Sequence, residues 1–355
     1  MTTLELVRLP GRTAVRGPWG SVVVHPRAVR VTTVASLLAL AVGVLSVSVG
    51  EFVVPVPDVV RALFGQGDRS SVLVVQTLRL PRIIVGLLVG AAFGLAGALT
   101  QSVARNALAS PDVVGVTAGA AAAAVSVIVL GLPVPIPLAA IAGGLTVAAL
   151  VAALTWRDGF SGPRLVLIGI GLGAAAASLT SYLLVRATIT DEQRATVWLT
   201  GSLNGRGWEH ARPVALALLL LAPLALVLGR SLTTLRLGDD VARALGARVD
   251  RARLGLVLVA VGLAAVATAS AGPIAFVGLV APQVALRLSR TPGIPLAASA
   301  ACGALLVVAA DLAARLGLSL LTGSPTELPV GAVTAVIGAP VLLVLLRRAA
   351  RGSTA

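Results

Sequence analysis

The sequence contains no lysine: all 28 of its Lys and Arg positions are arginine, set against 14 Asp and Glu. A P-loop nucleotide site reaches the phosphates with a lysine, and Schiff-base and pyridoxal chemistry need one, so none of these activities can reside in this chain. There is one cysteine, Cys302, inside an apolar run, which excludes a disulfide framework and a thiolate metal site. The two histidines, His25 and His210, lie far apart, so no metal site is expected. Charge is scarce too: 12% of the 355 residues are charged and 57% are hydrophobic, whereas soluble chains carry about 25% charge. So little polar surface cannot coat a water-soluble body of this size. The reading is an all-α polytopic membrane protein.

What is present is long apolar runs. About 20 apolar residues cross a bilayer as a helix, and ten such runs occur: 32–53, 83–103, 113–131, 137–156, 164–186, 211–229, 252–271, 274–288, 295–316 and 330–347. The eighth is short and follows the seventh almost directly, so a nine-span alternative merges the two. Residues 1–31 form an N-terminal segment and 348–355 a tail. With ten spans and the N-terminus inside, 19 of the 28 arginines fall on the inner side and nine on the outer. That bias predicts a multi-pass protein of the cell membrane with both termini cytoplasmic. The formal net charge of +14 is dispersed between apolar runs, which favours membrane lipid over nucleic acid as the anionic partner.

Three connecting segments exceed a turn. Residues 55–72 carry a short helical pattern of Val59, Val60, Leu63 and Phe64 on the outer side. Residues 188–209, also outer, hold Trp198 and Trp208, which suit an interface. Residues 230–251 are cytoplasmic; there Asp239 or Asp240 can cap a short amphipathic helix with Val241, Ala242 and Leu245 on one face, ended by Gly246.

Particular residues admit two readings each. Gly86, Gly90, Gly94 and Gly97 share one face of the second span, and serve helix packing or a transport path. Arg79, Arg82 and Arg315 sit at outer helix ends without neighbouring acids, and either snorkel to headgroups or dock an acidic partner. The short loop 104–112 is a tight turn, or a gate formed by Asn106 and Leu108. Inside the runs the only acids are Glu51 and Asp311. Asp311 stands four residues before Arg315, so it is either that arginine's partner or a proton relay.

At this point a resemblance emerges. The run 78–121 (LRLPRIIVGLLVGAAFGLAGALTQSVARNALASPDVVGVTAGAA), with 237–254, 271–288 and 310–346 in the same order, resembles the FecCD-type permease subunits of type II ABC importers. These are the iron–siderophore, haem and cobalamin permeases. The resemblance implies ten helices, a second permease subunit (identical or a paralogue) and two cytoplasmic ATP-binding subunits that carry ATP and Mg. It also implies an extracytoplasmic binding protein, no cofactor in this chain and no enzymatic activity of its own. By the same resemblance, Arg79, Arg82 and Arg315 receive acidic residues of the binding protein. Asn106 and Leu108 belong to the cytoplasmic gate. Asp239, Asp240, Ala242, Leu245 and Gly246 lie in the helix that couples to the ATPase. A ferric siderophore is the implied cargo, with haem or cobalamin as alternatives within the family. The rivals outside it are a proton-coupled carrier using Asp311 and a non-transport membrane protein. The chain departs from the family pattern at Gln283 (commonly His), Leu286 (commonly Arg) and Ala107 (commonly Pro), and at 161–164 where the family's gate is often polar.

Overall fold

The computed structural model describes residues 5–9, 12–17, 20–49, 54–156, 162–322 and 327–352. Glu51, Ser161 and the link 157–161 lie outside the described residues. Seven helices among the described residues are long and apolar enough to cross a membrane, and three shorter apolar helices complete a set of ten in the order of the ten runs. The elements, in order, are β1 (Glu5–Leu9), β2 (Arg12–Gly17), β3 (Gly20–Val24), α1 (Pro26–Ser48), α2 (Val56–Leu63), α3 (Arg69–Leu73), a π-helical stretch (Val74–Arg79) and α4 (Leu80–Ala104). There follow α5 (Val116–Leu130), α6 (Ile136–Trp156), α7 (Gly162–Arg186), α8 (Ile189–Leu199), α9 (Trp208–Leu235), α10 (Asp239–Ala244), α11 (Val249–Ala271), α12 (Val277–Ser289), α13 (Leu296–Thr322) and α14 (Val330–Gly352).

Several boundaries differ from the sequence reading. The N-terminal segment folds as a three-stranded antiparallel sheet, Glu5 opposite Arg16 and Thr13 opposite Val24. It precedes α1, which starts at Pro26, where the missing N–H costs nothing. α14 continues past the tenth apolar run to Gly352. The nine-span alternative fails: Gly272 (φ 76°) ends α11 and Phe276 (φ 67°) precedes α12, and a chain with two left-handed residues so close cannot continue one helix. On the 55–72 segment Val59 is buried, while Val60, Leu63 and Phe64 are exposed.

The long helix that contains α4 has a mechanical reason for its π-helical stretch. Pro81 cannot donate to the turn before it, and the register widens ahead of it, with the Leu80 N–H bonded to the Val75 carbonyl. α4 and α11 form the centre and are mostly buried, whereas α7 and α9 are mostly exposed.

The glycine stripe brings α4 onto its neighbours. A Cβ on Gly90 would collide with the Gly303 backbone of α13, one on Gly94 with the Ser299 carbonyl, and one on Gly97 with the Gly278 carbonyl of α12. Gly86 faces the Leu203 side chain at 3.0 Å from such a Cβ. Of the two readings, these contacts support packing within the chain. Gly97→Val should therefore destabilise the purified chain by at least about 3 kcal/mol. Gly171→Val on α7, where nothing lies within 4 Å, should change stability by less than about 0.5 kcal/mol. Thermal unfolding in detergent checks both, and equal melting temperatures would refute the assignment.

Candidate functional site

Two ion-pair knots and one buried amide pair hold the helices together. The first knot joins α1, α4 and α13. Arg82 places Nη2 2.9 Å from Asp311 Oδ1 and Nη1 2.9 Å from Glu327 Oε2, and its Nε donates to Asp311 Oδ1 at 3.2 Å. Asp311 is 3% exposed at its side chain. Arg315 lies with Nε 3.4 Å from Asp311 Oδ2, in ion-pair range without hydrogen-bond geometry. Its Nη2 instead donates to the Ser46 carbonyl at 3.1 Å and to the Ser46 hydroxyl. Arg79 Nη1 donates to the Val47 carbonyl at 2.7 Å. Ser46 and Val47 end α1, where the last carbonyls have no helical partner and the dipole is negative. Arginines from two other helices thus complete that end.

This corrects the sequence reading in two respects. Arg82 and Arg315 do have neighbouring acids, and Asp311 bonds chiefly to Arg82, 229 positions away, rather than to Arg315 one turn on. Glu327 was missed, because nothing in a lone loop glutamate marks it as the partner of a distant arginine.

The second knot lies at the opposite end of α4. Asp239 Oδ1 is 2.6 Å from Arg105 Nη2 and 2.7 Å from Arg253 Nη2, and its Oδ2 is 2.8 Å from Arg253 Nη1. Arg105 also donates to the Leu235 carbonyl at the end of α9. One carboxylate therefore ties the α4 terminus, α10 and α11 together. Partial burial works against its charge, but hydrogen bonds and charge from Arg253 and then Arg105 outweigh it and hold the Asp239 carboxyl below the usual carboxylate range.

The expected helix is present as α10, with a different build. Gly238 (φ 103°) is its N-cap, so Asp239 caps nothing. Asp240 faces water, 3.7 Å from Arg243. Ala242 is buried, whereas Val241 and Leu245 are 48% and 65% exposed, so the three do not share one face. Gly246 (φ 81°) ends the helix as expected. Neither Arg105 nor Arg253 was singled out in the sequence. In the adjoining loop, Asn106 accepts a hydrogen bond from the Leu108 N–H at 2.9 Å. Leu108 packs on Leu279 and Val280 of α12.

Near the second knot Gln283 of α12, where the pattern this chain resembles commonly has His, meets Gln101 in the last turn of α4. Its Nε2 donates to Gln101 Oε1 at 2.7 Å, and Gln101 Nε2 donates to the Leu279 and Gly278 carbonyls at 3.1 and 3.3 Å. The Gly278 carbonyl needs a donor because Pro282, one turn on, has no N–H. Gln101→Leu leaves that carbonyl and the Gln283 amide unpaired and should cost about 1–3 kcal/mol. Gln283→Leu should cost less. Denaturation curves that rank the two variants the other way would refute the role.

At the Arg82 end a cavity of about 720 Å³ opens between α5, α8 and the start of α14, with Trp198, Arg194, Arg206 and Glu327 on its walls. Trp198 is buried, and the exposed Trp208 donates its indole N–H to the Gln76 carbonyl at 3.3 Å. Among the described residues no three His, Cys, Asp or Glu gather as a metal site.

Known proteins of this construction are transport permeases. The profile of the FecCD transport family matches residues 37–348. The chain is 41% identical to the ferric enterobactin transport system permease protein FepG of Escherichia coli K12, over 87% of this chain and 93% of that one. It is 42% identical to the achromobactin transport system permease protein CbrC of Dickeya dadantii, covering 90% and 93% respectively. A solved inward-facing metal-chelate type ABC transporter chain superposes with a TM-score of 0.78 at 29% identity, over 90% of this chain and 99% of that one. A multi-pass set of apolar helices, matched along nearly its whole length by permeases, has one reading: the chain belongs to the FecCD transport family and is a membrane-transport permease.

Proposed function

We propose that this permease is the membrane-spanning subunit of an ATP-driven importer of ferric siderophores. It takes cargo from an extracytoplasmic binding protein and draws energy from two cytoplasmic ATP-binding subunits, which hold the ATP and Mg. The carrying observation is α10. It is a short helix at one end of the bundle, it exposes Val241 and Leu245, and it is bolted by Asp239 to both α4 and α11. Exposed apolar side chains on a rigid lever suit a partner groove. On this reading the Arg105 end and both termini are cytoplasmic, and Asn106 and Leu108 border the inner gate.

The opposite end receives the binding protein, with Arg79, Arg82 and Arg315 supplying positive potential even though Arg82 and Arg315 are partly neutralised within the chain. α7 leaves Gly171, Ala174, Ala175 and Ser178 exposed, a small-residue face suited to a second permease subunit and the path between the two. The ferric cargo is supported by the relatives named for ferric enterobactin and achromobactin; haem and cobalamin are the alternatives. A proton-coupled carrier is disfavoured because Asp311 is already engaged by Arg82.

The test is reconstitution of the chain with its ATP-binding subunit and binding protein in vesicles. Uptake of a labelled ferric siderophore should require ATP and should stop in Val241→Glu with Leu245→Glu, which detach the ATPase. Uptake that persists without ATP and collapses with the proton gradient would overturn the proposal.

A further inference from the structure

A second cavity, of about 630 Å³, opens at the Arg105 end between the first turns of α1, the last turns of α9 and the 291–295 link into α13. Its cationic lining is Arg230 and Arg236, with His25 beside them, and no Asp or Glu lines it. Both arginines are exposed. Neither guanidinium has an ion-pair or hydrogen-bond partner among the described residues. This contrasts with Arg82, Arg105, Arg253 and Arg315, each of which meets a carboxylate. Arg236 is placed rather than loose: its guanidinium lies against Gly293, in space a Cβ there would need. The N-terminal turns of α1 and α13 line the cavity opposite the last turns of α9, so helix ends of both signs meet there and the two guanidiniums carry the positive charge. The remaining wall combines Thr32, Ser102, Thr233 and Thr291 with apolar side chains, of which Val29 and Leu226 are about half exposed, and α1, α9 and α13 are all of membrane-spanning length and composition.

We infer that this cavity binds an anionic phospholipid, its phosphate held by Arg230 and Arg236 and its acyl chains lying along Val29 and Leu226. Two unpaired guanidiniums with no acid among them select a phosphate. The apolar part of that wall, at the end of membrane helices, selects the lipid-borne form over a free ion. The inference is independent of the cargo and of the ATPase.

The test is native mass spectrometry of the full-length chain in detergent, titrated with phosphatidylglycerol or phosphatidylcholine. One phosphatidylglycerol should be retained per chain under conditions that strip phosphatidylcholine. Retention should weaken about 30-fold in Arg230→Gln with Arg236→Gln, roughly fivefold per charge. The corresponding double Lys variant should keep most of it, as should Arg287→Gln, an exposed arginine outside the cavity. If the double Gln variant does not fold, Arg236→Gln alone should show the fivefold loss. Equal retention of both lipids, unchanged retention in the folded Gln variants, or displacement of the lipid by millimolar inorganic phosphate would each overturn the inference.

Discussion

Arg82→Gln should lower the unfolding free energy by about 3 kcal/mol and abolish transport. Breaking a buried pair from one side leaves an uncompensated charge, which costs far more than the pair itself contributes. Here the stranded group is Asp311, 3% exposed, whose remaining cation, Arg315, donates no hydrogen bond to it. Asp311→Asn in the same chain should recover part of the loss, with a coupling of about 2 kcal/mol in a double-mutant cycle. Thermal unfolding of the four variants in detergent measures this, and additive effects would show that the two side chains do not act together. The result also governs how docking must be probed. A reduced response to the binding protein in an Arg82 variant reports docking only where the melting temperature is unchanged, since the same guanidinium fastens α4 to α13. Arg79 also fastens a helix end, through the Val47 carbonyl of α1, so its variants need the same melting-temperature control.

Asp239→Asn should reduce ATP-dependent uptake at least about tenfold while the ATP-binding subunit stays attached. The substitution keeps the shape of α10 and its exposed Val241 and Leu245. It weakens the charge-assisted bonds to Arg105 and Arg253, each worth about 1.5–3 kcal/mol, so motion of α10 is no longer passed to α4 and α11. Uptake and ATP-subunit co-purification, measured together, separate this from simple detachment, and unchanged uptake would remove Asp239 from the coupling route. Arg253→Gln should cost more stability than Arg105→Gln, because their side chains are 5% and 42% exposed. The pH dependence follows in sign. A carboxyl held below its unfolded value adds stability that is fully present above about pH 4 and is lost as pH falls through the folded value. The lock should therefore hold throughout the neutral and mildly acidic range, and should open only below it.

Much of this was legible in the sequence, and the parts that were not share a cause. The ten runs could be read because a bilayer demands about 20 apolar residues per crossing, a local property of the chain. Gly246 could be read because a helix end needing positive φ is also local. The Asp311–Arg315 pair follows from i,i+4 spacing and is present at 3.4 Å, but the shorter bonds to Asp311 come from Arg82, far away in sequence. Asp239 reads as a helix cap from its place beside a short helix, while its partners belong to the end of α4 and to α11. Gln101 gave no signal at all, since the need it meets is a carbonyl left open by a proline in another helix. The N-terminal strands carry no long apolar run, because β-strands of five or six residues do not require one.

By itself, then, the sequence determined that this chain lives in a bilayer, that it carries no lysine-based catalysis, and how many apolar helices it has and in what order, because composition decides those matters. Only the tertiary structure decided which arginines are paired inside the bundle and which stand open at its surface. Ion pairing depends on distance in space and on burial, and the same residue type at helix ends became a lock at Arg82 and Arg253 and an open anion seat at Arg230 and Arg236.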